Sequence, residues 1–165
     1  AEANLGWRLA NPLSRNSHLT PYSGIGYRLR DRDLGLYSEE YDWFYIPLGL
    51  RVDYRLTDKW SLALDAAVRF IVDARVQVNF SEMDPGRNDP EADLSNEVGF
   101  FISLPITYQL YSWWGIAFTP WYEDIDLGRC PPFPITENGE TVASAYVPES
   151  RTRQYGLNLG VIFLF

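Results

Sequence analysis

A single cysteine, Cys130, stands in these 165 residues, so no disulfide can join two parts of the chain and no cysteine-rich metal centre can form. The one histidine is His18, which leaves little for nucleophilic catalysis, where a serine or cysteine is usually activated by an imidazole. Apolar runs are short: Val98 to Ile102 is broken by Ser103, far below the ~20 residues of a membrane-spanning helix. A net charge of −8 without a basic cluster excludes a phosphate-neutralising surface, so no nucleic-acid partner is expected. The opening Ala1-Glu2-Ala3-Asn4 has neither the basic region nor the apolar core of a secretory signal. Nothing reads as a composition break, so residues 1–165 are expected to form one domain.

What is present favours strands. Aromatic residues make up 16% of the chain, with 12 glycines and 11 prolines, a mixture suited to many strands joined by turns. From Trp60 to Phe80 every even position is apolar, while the odd ones include Ser61, Asp65, Arg69, Asp73, Arg75, Gln77 and Asn79. That is period two sustained beyond the ~10 residues of ordinary strands. Asp42 to Leu56, Asn96 to Leu110, Trp113 to Leu127 and Tyr22 to Arg30 repeat the alternation, Leu5 to Leu9 is a shorter candidate, and Arg151 to Phe165 completes a count of seven strands. A mean hydropathy of −0.22 does not oppose membrane insertion, because alternation hides a greasy face from any average.

The connections sort by length. Thr57-Asp58-Lys59 and Tyr111-Ser112-Trp113 read as tight turns, whereas Asp31 to Tyr41, Ser81 to Asn96 and Asp124 to Ser150 read as long polar loops. Trp60, Tyr111, Trp113 and Trp114 gather at the short-turn side, as an aromatic girdle at a membrane interface would. The competing reading of these rings is the core of a soluble sandwich.

The chain ends with Leu157, Leu159, Val161, Phe163 and Phe165 alternating along its last strand. In this it resembles bacterial outer-membrane β-barrel proteins, whose final strand ends in Phe with apolar residues at those alternate positions. The stretches Leu19 to Leu29, Tyr45 to Tyr54, Phe118 to Gly128 and Arg153 to Phe165 are similar in type to uncharacterised Gram-negative barrels of the small OmpA/OmpX kind. The resemblance implies an antiparallel up-and-down transmembrane β-barrel in the bacterial outer membrane. It also implies recognition of the last strand by the barrel-insertion machinery, and contact with outer-membrane lipids and lipopolysaccharide. No catalytic motif accompanies it.

On this parity Arg8, Arg28, Arg51, Asp53, Arg55, Asp65, Arg69, Asp73, Arg75, Glu97 and Glu123 face the interior. Charges in so narrow a space persist only when paired, and eight strands enclose just enough room for side chains. An internal salt-bridge network plugging the barrel is the leading expectation, with a structural or surface-interaction role through acidic outer loops; a small passive, porin-like channel is the alternative. Inward glycines (Gly24, Gly26, Gly49, Gly99, Gly115, Gly156 and Gly160) are expected to make room for the arginines. Enzyme activity is not expected: His18 with Ser14 and Ser17 reads as an incidental loop cluster. Neither a cofactor nor a metal is expected, although the acidic stretch Ser81 to Asp93 has the hard oxygens a Ca²⁺ ion would take.

Three geometric expectations follow. Apolar residues at even positions on both sides of Thr57-Asp58-Lys59 require paired residue numbers that sum to 116, which sets Arg51 opposite Asp65 with a charge-assisted contact. Trp60 to Phe80 is longer than the about ten tilted residues that cross an apolar band, so Asp73 to Phe80 should project as a hairpin wall with Val76, Val78 and Phe80 as a contact surface. Finally, seven strands are odd where single-chain bacterial barrels are even, which predicts an eighth strand, or a larger even number, with at least one lying N-terminal to Leu5.

Overall fold

The computed structural model describes residues 1–10 and 16–163; Ser14 and Phe165, named above, lie outside the described residues. The chain is all-β and antiparallel. β1 (Glu2–Gly6) and β2 (Leu9–Ala10) both run beside β3 (Ser17–Asp33), which pairs with β4 (Ser38–Arg55), which pairs with β5 (Trp60–Asn79). β6 (Glu91–Asp93), β7 (Val98–Ser103) and β8 (Ile106–Tyr111) are three pieces of one path along β5. β9 (Trp114–Leu127) follows, a hairpin of β10 (Phe133–Glu137) and β11 (Glu140–Ala145) stands apart, and β12 (Ser150–Phe163) returns along β9. The sheet order β1-β3-β4-β5-β7-β9-β12 is up-and-down, and its seven paths are the seven segments read from the alternation.

Pro105 divides β7 from β8 because it has no N–H to give the ladder. Its carbonyl still accepts from Ala63 at 2.8 Å, so the path stays in place. The sheet curls strongly: Arg30, on the second path, donates to Thr152 on the last at 2.6 Å. β1 and β12 lie at the two ends of the order, each paired on one side only among the described residues, and successive antiparallel pairings make them run in the same direction.

The β4–β5 register agrees with the sum of 116, since Arg51 faces Asp65 and Leu48 faces Val68. It shifts higher up. Tyr45 faces Ile71 but Phe44 faces Asp73, so Val72 is an extra residue, a β-bulge that reverses the faces of everything beyond it. Below the bulge Ala63, Ala67, Arg69 and Ile71 are buried inside while Leu64, Val68, Phe70 and Val72 are exposed outside; above it Ala74, Val76 and Val78 are inside while Arg75 and Gln77 are exposed. Two expectations are corrected by this. Asp73 and Arg75 do not face the interior, and Val76, Val78 and Phe80 are no contact surface, being 0%, 2% and 9% exposed. The physical balance favours the bulge: burying two valines is worth about 1.5 kcal/mol or more apiece, whereas one interrupted ladder hydrogen bond costs about 1 kcal/mol.

The two ends of the sheet are therefore built in opposite senses. At the short-turn end the apolar side chains point outward and polar ones inward. Toward the other end Tyr41, Trp43 and Tyr45 of β4 pack inside against Ile71, Ala74, Val76 and Val78 of β5. Ile125, Leu127, Leu94, Phe133, Cys130 and Val147 complete this core. The Asp31 to Tyr41 connection is also shorter than expected. β3 and β4 continue as a ladder to Asp33 and Ser38, with Arg32 against Glu39 at 3.6 Å, and turn at Gly35, whose φ of +83° is the left-handed conformation glycine adopts freely.

Val76→Asp should lower stability by about 3 kcal/mol or more, because it places a carboxylate in this core. Gln77→Asp, one residue away on the outer face, should stay within about 0.5 kcal/mol. Urea midpoints of the two variants check this, and similar midpoints would contradict the reversed faces.

Candidate functional site

The middle of the interior is held by charge. Glu123, on β9, is 1% exposed and lies between two arginines from across the curl. Arg28 of β3 donates to its Oε1 at 2.7 Å through Nη2, and Arg69 of β5 forms a second, close ion pair with it. Arg69 also reaches Glu2 on β1 at 2.8 Å, and the Tyr45 hydroxyl donates to that same carboxylate at 2.6 Å. The Arg69 guanidinium stacks over the rings of Tyr45 and Phe101, 5.0 and 4.5 Å from their centroids. Two cations and two carboxylates drawn from β1, β3, β5 and β9 thus form a neutral cross-brace.

Two of the glycines do a different task from the one expected. A Cβ at Gly26 would overlap the Tyr45 ring and one at Gly49 the Tyr22 ring, each directly across the β3–β4 pair. These two clear floor for aromatic rings that carry hydroxyls across the interior, whereas Gly99 pairs with Arg69 and lies beside its stem. Tyr22 accordingly donates to Asp65 at 2.6 Å.

Of the interior charges read from parity, Arg28, Arg69 and Glu123 meet as expected. Arg51 stands opposite Asp65 but turns along its own strand to Asp53, with Nε 3.0 Å from Oδ1, and Asp65 takes the Tyr22 hydroxyl, so the expected Arg51–Asp65 contact is not the one formed. Arg55 faces a cavity at the short-turn end. Glu97 meets β5 through its carbonyl, which accepts from the Ile71 N–H at 3.0 Å. Asp73 and Arg75 pair with each other on the outer face at 3.4 Å, with Glu91 and Asp93 close to Arg75. Glu2 and the two tyrosines were not among the expected residues. Extending the Leu5 to Leu9 alternation back by three residues would have put Glu2 inside; the tyrosines gave no such signal, because their ring positions depend on cross-strand glycines.

His18 lies within β3, not in a loop, with its Cα partnered to that of Asp53. Among the described residues no cluster of three or more His, Cys, Asp or Glu could hold a metal ion. The acidic stretch is tied up locally: Asp89 accepts from the Ser81 amide and hydroxyl, and Asp84 accepts from the Gly86 amide.

The outer face carries its own order. Leu157, Leu159, Val161 and Phe163 all point outward from β12 and are 50%, 78%, 57% and 55% exposed. At the short-turn end Trp60 packs on Tyr108, Tyr111 on Trp114, and Trp113 on both Trp114 and Phe163. Beyond the outward apolar residues, toward the long loops, comes a belt of charge in which Arg151 grips Asp124 at 2.6 and 2.8 Å and Arg153 adds a third contact. The Arg151 hydrogen bonds hold the Asp124 carboxyl down to about 2. Within the apolar core Tyr41 is pushed up to about 12 by burial and by its hydrogen bond to Glu39.

No protein-family model matches the chain, and no curated protein matches it either.

Two outcomes follow from these charges. Glu123→Ala leaves two arginines with Glu2 as their one remaining countercharge in the brace, and should cost about 3–5 kcal/mol. The double variant Arg69→Met/Glu123→Ala should cost less than the two single losses added together, so a double-mutant cycle that shows simple additivity would contradict the cross-brace. For Asp124 the folded pKa lies below the ordinary value of 3.8, so its contribution is present above pH ~4 and is lost as pH falls toward 2. Asp124→Asn should therefore differ from the parent chain in urea midpoint at pH 5 and converge with it at pH 2.

Proposed function

We propose that this chain is an integral outer-membrane β-barrel protein that does not conduct, with a structural or surface-interaction role carried by its long-loop end. The observation that carries this reading is the belt of large apolar side chains on the outward face, including Ile46, Leu48, Phe70, Phe100, Ile116 and Leu159, each at least 42% exposed. On β5 the belt runs from Leu62 to Val72, roughly 33 Å along the strand and about 25 Å once strands tilt by ~40°. It is bounded below by the paired aromatic rings and above by the Asp73–Arg75 and Asp124–Arg151 charges, the order in which a bilayer changes from interface to hydrocarbon to interface. A soluble protein would expose so broad an apolar surface only at an interface with a partner.

The channel alternative is disfavoured by what fills the interior. The Glu123 cross-brace spans its middle and the aromatic core packs much of the space beyond. In a membrane the free edges of β1 and β12 also need partners, since bare backbone groups in hydrocarbon cost several kcal/mol each. Leu157, Leu159, Val161 and Phe163 then serve as the signal read by the insertion machinery, together with Phe165. Arg151 and Arg153 stand at the height of lipopolysaccharide phosphates.

Single-tryptophan variants refolded into bilayers containing brominated lipid test the membrane reading. Trp60 and Trp113 should be quenched, and Trp43, enclosed in the apolar core, should not. Equal quenching of all three, or none, would sink it. In planar bilayers the same protein should give no steady current, and stable unitary steps would favour the channel.

A further inference from the structure

The interior is plugged in its middle and packed at its long-loop end, yet hollow at its short-turn end. There a cavity of about 500 Å³ lies over the inner face of β3 and β4, lined among others by Arg8, His18, Thr20, Arg51, Asp53 and Arg55. A second space of about 480 Å³ shares Arg55 and Ser61 with it and brings Asp58 and Lys59, whose charges offset each other, with Thr107 and Gln109 as neutral hydrogen-bonding groups. The Tyr22–Asp65 hydrogen bond and the Glu123 cross-brace stand between this well and the rest of the interior.

Its charge runs against that of the molecule. The chain as a whole has 22 acidic and 14 basic residues, but among the described residues the wall of the first cavity carries three arginines and one carboxylate. Asp53 is already engaged by Arg51 at 3.0 Å. Among the described residues no carboxylate lies within ion-pair distance of Arg8 or Arg55, and neither guanidinium has a side-chain partner elsewhere. Two solvent-exposed forked cations without an ion-pair partner, in a protein with carboxylates to spare, give this cleft a positive potential. Their forks suit the oxygens of a phosphate group, and the volume is that of a small-molecule site.

We propose that this well binds a phosphate-type oxoanion carrying at least two charges, with Arg8 and Arg55 as its principal ligands and Arg51, His18 and Thr20 as further hydrogen-bond donors. Two charges are specified because three arginines less one aspartate leave two to neutralise. The proposal concerns the inner face of the sheet and does not rest on the membrane reading.

The test uses the full chain refolded in zwitterionic micelles and modified with phenylglyoxal, with each arginine followed by mass spectrometry. Pyrophosphate at about ten times its Kd should slow modification of Arg8 and Arg55 roughly tenfold, leaving Arg153 on the outer face unchanged. A parallel sample in micelles doped with phosphatidic acid, without pyrophosphate, separates the two sources of such a group. Protection by pyrophosphate alone identifies a soluble ligand, and protection by the lipid identifies a headgroup; either supports the site. Protection in neither, or equal protection at Arg153, overturns it. By calorimetry Arg8→Gln and Arg55→Gln should each weaken pyrophosphate binding about tenfold or more, with Arg153→Gln as the control. Unchanged affinity in both variants would equally overturn it.

Discussion

A regular strand has two faces that alternate residue by residue, and this sheet needs its apolar side chains on the outer face at one end and on the inner face at the other. Everything else in the architecture accommodates that inversion. β4 achieves it in composition, since its inward positions change from Asp53 and Arg51 to Tyr45, Trp43 and Tyr41 while its outward ones change from Leu48 and Phe44 to Asp42 and Glu40. β9 does the same, passing from inward Glu123 to inward Ile125 and Leu127. β5 keeps one alternation throughout and inverts by geometry, through the single extra residue at Val72.

The cross-brace sits at the level where the inversion occurs. Below it the interior is polar and hollow, above it apolar and full, and Glu123 with Arg28 and Arg69 faces both environments. Burying charge is expensive, and a brace of this kind is a weak source of net stability compared with an apolar filling. What it does supply is position: each carboxylate is gripped from a different strand, so the curl of the sheet is set by distances between side chains far apart in sequence.

The outer face and the inner face constrain each other through the glycines. Where Tyr22 and Tyr45 lie flat across Gly49 and Gly26, the interior gains two hydroxyls at a chosen height without thickening the wall. Hydroxyls take over work that charge pairing alone would have done. Asp65 is satisfied by Tyr22, which leaves Arg51 to Asp53 and leaves Arg55 free to face the cavity.

Much of this was legible in the residue order. Strand number, strand direction, the register across Thr57-Asp58-Lys59 and the inward placement of Arg28, Arg69 and Glu123 all follow from period two and turn length, because the side-chain alternation of a strand is a local property of the backbone. The Val72 bulge was not legible, since apolar even positions continue unbroken from Trp60 to Phe80 and only the partner strand reveals which face they occupy. For the same reason parity misplaced Asp73, Arg75, Val76 and Val78. Pairing partners were equally beyond local reading: whether Arg51 meets Asp65 or Asp53, and whether Glu2 joins Arg69, depends on side chains brought together by curl across separations as long as 67 residues. The sequence by itself determined which residues alternate; the tertiary structure alone decided which face each alternation presents, because a face acquires meaning only when the sheet curls around an interior.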